Sequence, residues 1–230
     1  MTIAYSPIFD LIRANDVDAV SALLATDPSL VSARDVDLAT PLHIATAYGQ
    51  TEIVRLLLQY SADVNACTAT GETPLFDISR AHSVAIAALL IEHGTDVNHH
   101  ADLLQTPLSD AIHNDNVSLV QFLIAQGADI HTIIQDIDEQ TPLLLALDRE
   151  RPIIATLLLD HHVELGQIDF RGRTALHYAA EHGYREIVAR LLVLNMDTAV
   201  RDEAGKTALD YAQARLEDFQ QIIYLLRTAR

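Results

Sequence analysis

Gly172-Arg-Thr-Ala-Leu-His-Tyr-Ala-Ala-Glu-His-Gly-Tyr-Arg-Glu-Ile-Val-Ala-Arg-Leu-Leu-Val-Leu-Asn195 is the stretch that decides the fold. Thr174 offers a helix N-cap oxygen, the residues Ala175 to Glu181 read as a short helix with Leu176 and Ala179 inward, and Gly183 can take the left-handed conformation that ends it. Beyond it Ile187, Val188, Leu191 and Leu192 recur at helical spacing and predict a second helix with one apolar stripe. Neither helix can bury its stripe alone, so the unit needs neighbours like itself.

The chain supplies them. With the capping Thr as phase marker, copies begin at Thr40-Pro-Leu-His-Ile-Ala, Thr73-Pro-Leu-Phe-Asp-Ile, Thr106-Pro-Leu-Ser-Asp-Ala, Thr141-Pro-Leu-Leu-Leu-Ala, Thr174-Ala-Leu-His-Tyr-Ala and Thr207-Ala-Leu-Asp-Tyr-Ala, separated by 33, 33, 35, 33 and 33 residues. A looser copy, Ser6-Pro-Ile-Phe-Asp-Leu, lies 34 residues before Thr40. A period of this length means stacked supersecondary units. Proline at the first helical position lacks only an N–H that has no partner there, so Pro41, Pro74, Pro107 and Pro142 set helix starts, and Pro152 opens a second helix in the same way. Ala175 and Ala208 set theirs less firmly.

These residues resemble the ankyrin repeat, whose signature is Thr-Pro-Leu-His-x-Ala at this period. Asp35, Asp136, Asp169 and Asp202 stand five residues before the Thr, and Gly71, Gly172 and Gly205 stand two before it, as the family's hairpin turn expects. Ala62-Asp-Val-Asn65, Gly94-Thr-Asp-Val-Asn98 and Gly127-Ala-Asp-Ile-His131 resemble its repeat ending. Leu38, Leu104 and Glu139 depart from the turn glycine, and the fifth repeat ends differently, in His162-Val-Glu-Leu165. The resemblance implies an all-α repeat solenoid: an ankyrin-type stack of about seven helix-turn-helix repeats joined by β-hairpin-like fingers. One domain, 1–230, would hold repeats at 3–34, 35–67, 68–100, 101–135, 136–168, 169–201 and 202–230. The first and last should be caps. In the first, Ile8, Leu11, Ile12, Val20, Leu23 and Leu24 face inward and Asn15 ends a helix. In the last, Ile222, Ile223, Leu225 and Leu226 come two residues late, and Glu217, Asp218, Gln220 and Gln221 give polar surface.

Composition agrees. Half of the 230 residues are hydrophobic but only 5% aromatic, as small stacked helices require. The single cysteine, Cys67, excludes an intramolecular disulfide and a multi-Cys metal site. There is no basic n-region before Asp10, and no apolar run approaches the ~20 residues that cross a bilayer. A soluble, cytoplasmic, monomeric protein is the expectation, with export by a route that reads no Sec-type signal compatible with the same residues.

Chemistry is hard to find. Neither a Gly-x-Ser-x-Gly elbow nor a phosphate loop occurs, and Lys206 is the only lysine. The pairs His99-His100 and His161-His162 would point to opposite faces of an extended segment, and His43 and His177 occupy the signature position, where they are expected to bond neighbouring backbone. The expectation is no enzyme, no cofactor and no metal.

Charge is more informative. The net charge is -17, and residues 81–148 hold 10 acidic residues and no Lys or Arg. Such a block repels nucleic acid and anionic membranes and steers a basic protein; it would equally keep a leucine-rich stack dissolved. The resemblance implies partner binding on a concave face of finger tips and first helices. By phase that face takes Asp37 and Tyr48 in repeat two, Glu72 and Arg80 in repeat three, and Asp102, Leu103, Gln105, His113 and Asn114 in repeat four. It continues with Ile137, Asp138, Gln140, Asp148 and Arg149 in repeat five, and Phe170, Arg171, Arg173 and His182 in repeat six. The lengthened finger after His131 adds Ile133. Its isoleucines either form an exposed contact with an acidic rim or fold back between repeats. The expected role is masking or recruiting a protein with a basic surface, as an inhibitor, immunity protein or adaptor. The alternatives are an effector that recruits a host protein and an enzyme or small-ligand receptor using the groove.

Overall fold

A computed structural model of the chain describes residues 6–81, 83–134, 139–214 and 220–228. They form two compact units, Met1–Ala128 and Asp129–Arg230. The first holds α1 (Ile8–Arg13), α2 (Val17–Thr26), α3 (Pro41–Ala47), α4 (Thr51–Gln59), α5 (Pro74–Ala81), α6 (Val84–Glu92), α7 (Pro107–His113) and α8 (Val117–Ala125). The second holds α9 (Pro142–Asp148), α10 (Pro152–Asp160), α11 (Ala175–Glu181), α12 (Arg185–Val193), α13 (Ala208–Gln213) and α14 (Gln220–Thr228). Among the described residues there is no extended strand, only the isolated bridge between Ile134 and Gln140.

In the first unit the odd-numbered helices pack in series, α1 on α3, α3 on α5 and α5 on α7, and α2, α4, α6 and α8 form a second row behind them. In the second unit α9, α11 and α13 make one row and α10, α12 and α14 the other. Each row-two helix buries one stripe. In α4, Ile53, Val54, Leu57 and Leu58 are buried while Glu52 and Arg55 face solvent. Each such apolar side chain stabilises the stack by about 1.5–3 kcal/mol.

The helix starts follow from capping. Thr40, Thr106 and Thr207 each close a reciprocal box with the third helical residue, His43, Ser109 and Asp210. Ala208 thus begins its helix at the same phase as Pro41. Pro152 opens α10. In the end repeats Ile8, Ile12, Val20 and Leu24, and Ile222, Ile223 and Leu226, are buried. Glu217 and Asp218 lie outside the described residues.

The turn position two residues before the capping Thr is left-handed in every repeat that has one, at φ 79° for Gly71 and 72° for Gly172 and Gly205, and also at 60° for Leu38, 55° for Leu104 and 50° for Glu139. Gly71 is needed twice over, since a Cβ there would stand 3.3 Å from Cα of Ala101. A left-handed leucine costs roughly 1–2 kcal/mol, which its repeat must offset elsewhere. One expectation fails: His161 caps α10 and His162 is left-handed at φ 56°, so this pair is not extended, and both rings are exposed.

Candidate functional site

Successive helix pairs are joined by hairpin-like fingers, each closed by a main-chain bond. In the first unit the N–H of Asp35 donates to the carbonyl of Ala39 at 3.0 Å, that of Thr68 to Glu72 at 2.9 Å, and that of Ala101 to Gln105 at 2.9 Å. In the second, Ile134 donates to Gln140, Asp169 to Arg173 and Asp202 to Lys206, at 2.9, 3.1 and 2.9 Å. Neighbouring fingers are also tied to one another: Ala69 N–H donates to the Asp37 carbonyl at 2.8 Å and Asp102 N–H to Thr70 at 3.0 Å, and in the second unit Glu203 N–H donates to Arg171 at 2.9 Å. Where an Asp stands five residues before the Thr, it is the post of its finger, and in the finger before Thr73 the Oγ1 of Thr68 stands there instead and accepts from the Glu72 N–H at 3.2 Å. Oδ1 of Asp35 accepts from the N–H groups of Asp37 and Ala39, and Oδ1 of Asp169 from those of Arg171 and Arg173. Asp136 lies outside the described residues.

His43 and His177 join a first helix to the next finger. Nδ1 of His43 accepts the Thr40 N–H at 3.0 Å, which assigns the proton to Nε2, and Nε2 donates to the Glu72 carbonyl at 3.1 Å. His177 repeats this with Thr174 and Lys206. Burial lowers the pKa of both, that of His43 to about 4.

The finger surface of the first unit is apolar and acidic. Val36 is 74% exposed and Leu103 62%, and Leu38, Leu104 and Tyr48 are exposed as well, beside Asp37 and Asp102. A cleft of about 560 Å³ opens between two fingers, lined by Thr70, Glu72, Ala101, Asp102, Leu103 and Gln105.

The second unit presents a different surface. Arg173 is 8% exposed. Its guanidinium lies 3.9 Å from the centre of the Tyr178 ring and 5.0 Å from that of Tyr211, and donates to the Glu181 carboxylate. Each ring is fixed from its other end: Tyr178 donates its hydroxyl proton to Asp169 at 2.7 Å and Tyr211 to Asp202 at 2.6 Å. Burial, then the Asp202 bond, pushes Tyr211 up to about 12, and burial, then the Asp169 bond, raises Tyr178. This is a stabilising stack of a cation between two aromatic faces.

Of the residues placed on the face from sequence, Asp37, Tyr48, Asp102, Leu103, His113, Ile133, Phe170 and Arg171 are exposed. Glu72, Gln105, Asn114, Asp148, Arg149 and His182 are half-buried. Two placements are corrected. Arg173 is held inside by the tyrosines, and Gln140 is fully buried, its Nε2 donating to the Tyr178 hydroxyl at 3.0 Å. Ile137, Asp138 and the side chain of Arg80 lie outside the described residues. The lengthened finger divides its isoleucines: Ile134 is buried and Ile133 exposed.

Sequence reading did not single out the Asp–Tyr posts, although a nine-residue separation in two consecutive repeats, Asp169 to Tyr178 and Asp202 to Tyr211, could have revealed them. It also missed that Asn65 and Asn98 bridge repeats, with Nδ2 donating to the carbonyls of Gly94 at 3.0 Å and Gly127 at 3.1 Å. Among the described residues no three His, Cys, Asp or Glu side chains form a group able to hold a metal ion, and no helix is long and apolar enough to cross a membrane.

Comparison with known proteins adds the lineage. A family description, ankyrin repeats in three copies, matches residues 8–101, 108–202 and 154–229. The serine/threonine-protein kinase VIK of Arabidopsis thaliana is 49% identical over 67 residues, 29% of this chain and 15% of the kinase. The probable E3 ubiquitin-protein ligase XBOS31 of Oryza sativa subsp. japonica is 42% identical over 71 residues, 29% of this chain and 16% of the ligase. Rabankyrin-5 of Homo sapiens is 30% identical over 177 residues, 75% of this chain and 12% of that protein. The chain thus spans only a small part of each of these relatives. The human ASB11 ankyrin repeat domain superposes with a TM-score of 0.81 at 24% identity, covering 98% of both chains. The ankyrin repeat domain of Bcl-3 superposes with a TM-score of 0.79, also at 24% identity, covering 97% of this chain and 99% of that one.

Proposed function

Because the chain belongs to the ankyrin repeat family, whose domains are general protein–protein interaction modules, we propose that it binds a partner protein through its fingers and the adjoining ends of its first helices, and acts by masking or recruiting that partner rather than by chemistry on it. The observation that carries this reading is the finger row of the first unit. Main-chain bonds hold Asp37 to Ala69 and Thr70 to Asp102, and the row sets Val36, Leu38, Leu103 and Leu104 out in solvent beside carboxylates. Exposed apolar groups with a polar rim, on backbone that is already rigid, are what an interface core needs.

The partner expected from the charge carries a basic surface, and its association rate falls with added salt. The protein itself is expected to be a monomer by light scattering. Affinity capture from the native cell, followed by identification of the bound protein, tests the reading. Val36→Asp together with Tyr48→Asp should abolish capture, while Ile153→Asp, an exposed change on α10, should leave it intact. The reverse pattern would sink the proposal.

A further inference from the structure

We propose that the cleft beside Gly166 is a docking site for an asparagine side chain on an apolar segment of a partner, whose carboxamide takes the place that the chain's own asparagines fill in repeats two and three. The site needs nothing from the finger row.

The template is Asn65. Its Nδ2 donates to the Gly94 carbonyl at 3.0 Å and its Oδ1 accepts the Asp96 N–H at 3.1 Å, so one planar group satisfies an acceptor and a donor of the next repeat. Asn98 reaches the Gly127 carbonyl in the same way at 3.1 Å. The acceptor stands 29 residues after the asparagine and the donor 31. Counted from Gly166, the same positions are Asn195 and Asp197. Asn195 turns the chain out of α12 at φ 60°, as Gly94 and Gly127 turn it out of α6 and α8 at 90° and 88°, so all three carbonyls belong to the same kind of left-handed turn. Glycine at 166 brings no side chain to meet this one, and nothing stands within 4 Å of the position of its Cβ. Among the described residues neither the Asn195 carbonyl nor the Asp197 N–H has a hydrogen-bond partner.

Around this pair lies a cleft of about 220 Å³ whose apolar lining is Leu165, Ile168, Leu194, Met196 and Val200. Ile168 is 53% exposed and Leu194 45%. Apolar walls with a few placed polar groups are the form of a binding pocket. The polar pair selects the head that enters. A carboxylate can only accept and an ammonium can only donate, whereas a carboxamide does both from one plane. A carboxylate drawn to the Asp197 N–H would also approach that residue's own carboxylate. A wholly apolar occupant would bury the carbonyl and the N–H unbonded, which is costly. An asparagine flanked by leucine satisfies the polar pair and the walls together.

The test is a titration of the intact, isotope-labelled protein with the tripeptide Leu-Asn-Leu, closed by acetyl and methylamide ends and followed in the protein's amide NMR spectrum. The Asp197 N–H should shift and saturate with a Kd of about 1 mM. Aspartate or lysine in place of the peptide's asparagine should weaken binding ~10-fold or more. Gly166→Asn fills the site from within and should abolish binding while its urea midpoint stays at or above that of the parent. Leu194→Asp should weaken binding ~10-fold by changing the wall. Val193→Ser, an exposed change outside the lining, should leave it as it is. A spectrum without a saturable shift at Asp197 would overturn the site. So would equal binding of the three peptides, which reduces the contact to leucine on an apolar surface, an equal loss in Val193→Ser, or binding kept by both Gly166→Asn and Leu194→Asp. Partner capture through the fingers involves no residue of this cleft, so the two proposals stand or fall separately.

Discussion

Mild acid should weaken this protein through His43. The ring is 1% exposed, its Nδ1 accepts the Thr40 N–H, and its Nε2 donates to the Glu72 carbonyl. Burial lowers its pKa from 6.5 to about 4, against the opposing pull of the Glu72 carbonyl. Protonation would also place a hydrogen on the nitrogen that already faces an N–H donor. The folded state therefore holds the neutral ring, and the unfolded chain takes up the proton first. Stability from this residue is full above the unfolded value of 6.5 and is lost as the pH falls toward 4, with each unit of difference worth about 1.4 kcal/mol. Between pH 7 and pH 5 the loss is about 2 kcal/mol, and by pH 4 it reaches about 3 kcal/mol.

Two measurements check this. The assigned imidazole signals of His43 should show no titration in the folded protein near pH 6.5. Urea unfolding at pH 7, 6 and 5 should give a slope that His43→Gln reduces by about 2 kcal/mol over the range, since Gln at this helix position can keep the capping box without titrating. His177 in the second unit, whose pKa burial also lowers, leaves a residual slope in that variant. An imidazole midpoint near 6.5 for His43 in the folded state, or an unchanged slope in His43→Gln, would refute the argument.

Two other perturbations separate structural residues from surface ones. Arg173→Ala removes a cation held between Tyr178 and Tyr211 and leaves the partly buried Glu181 without it; it should cost about 3 kcal/mol of stability in thermal unfolding, and a cost near that of an exposed charge would show that the stack contributes little. Gly166 lies eight residues before its capping Thr, where Asn65 and Asn98 bridge to the next turn. Its φ is not left-handed, and nothing stands within 4 Å of the position of a Cβ. Beside it opens a cleft of about 220 Å³ reaching Asn195, the counterpart of Gly94 and Gly127. Gly166→Asn should restore the bridge and raise stability by about 1–2 kcal/mol in urea unfolding; no gain would show that the turn cannot reach the carbonyl of Asn195.

What could be read from the sequence depended on which atoms do the bonding. The capping threonines, the prolines behind them and the signature histidines act through side chains at fixed positions, so their recurrence placed the helices and gave His43 its backbone bonds in advance. The left-handed turn was legible as a position even where glycine was missing, because Leu38, Leu104 and Glu139 keep the phase. Gln140 and Arg173 were misplaced because phase alone says where a residue stands on the finger, not which way its side chain turns. Both are drawn inward by Tyr178, a residue whose partners lie 5 to 38 positions away in the chain. The bonds between fingers left no trace at all, since they join main-chain atoms that every residue but proline possesses.

Bonds of this kind support the proposal that the fingers carry the partner contact. A repeat array is held by contacts between nearest neighbours, so each repeat must keep the side chains that make those contacts. Helix faces, capping boxes and the Asn65 and Asn98 bridges are of this kind, and changing one weakens two repeats. The finger tips are tied together by Ala69 N–H to Asp37 and Asp102 N–H to Thr70, bonds indifferent to the side chains they carry. Substitution there leaves the scaffold standing, provided the turn can be made. Leu38, Leu103 and Leu104 go further, occupying turn positions at a cost that glycine would avoid. A scaffold that leaves its tips free to vary, and tips that depart from what the scaffold would prefer, together support the proposal that recognition lies on the fingers and cohesion in the helices behind them.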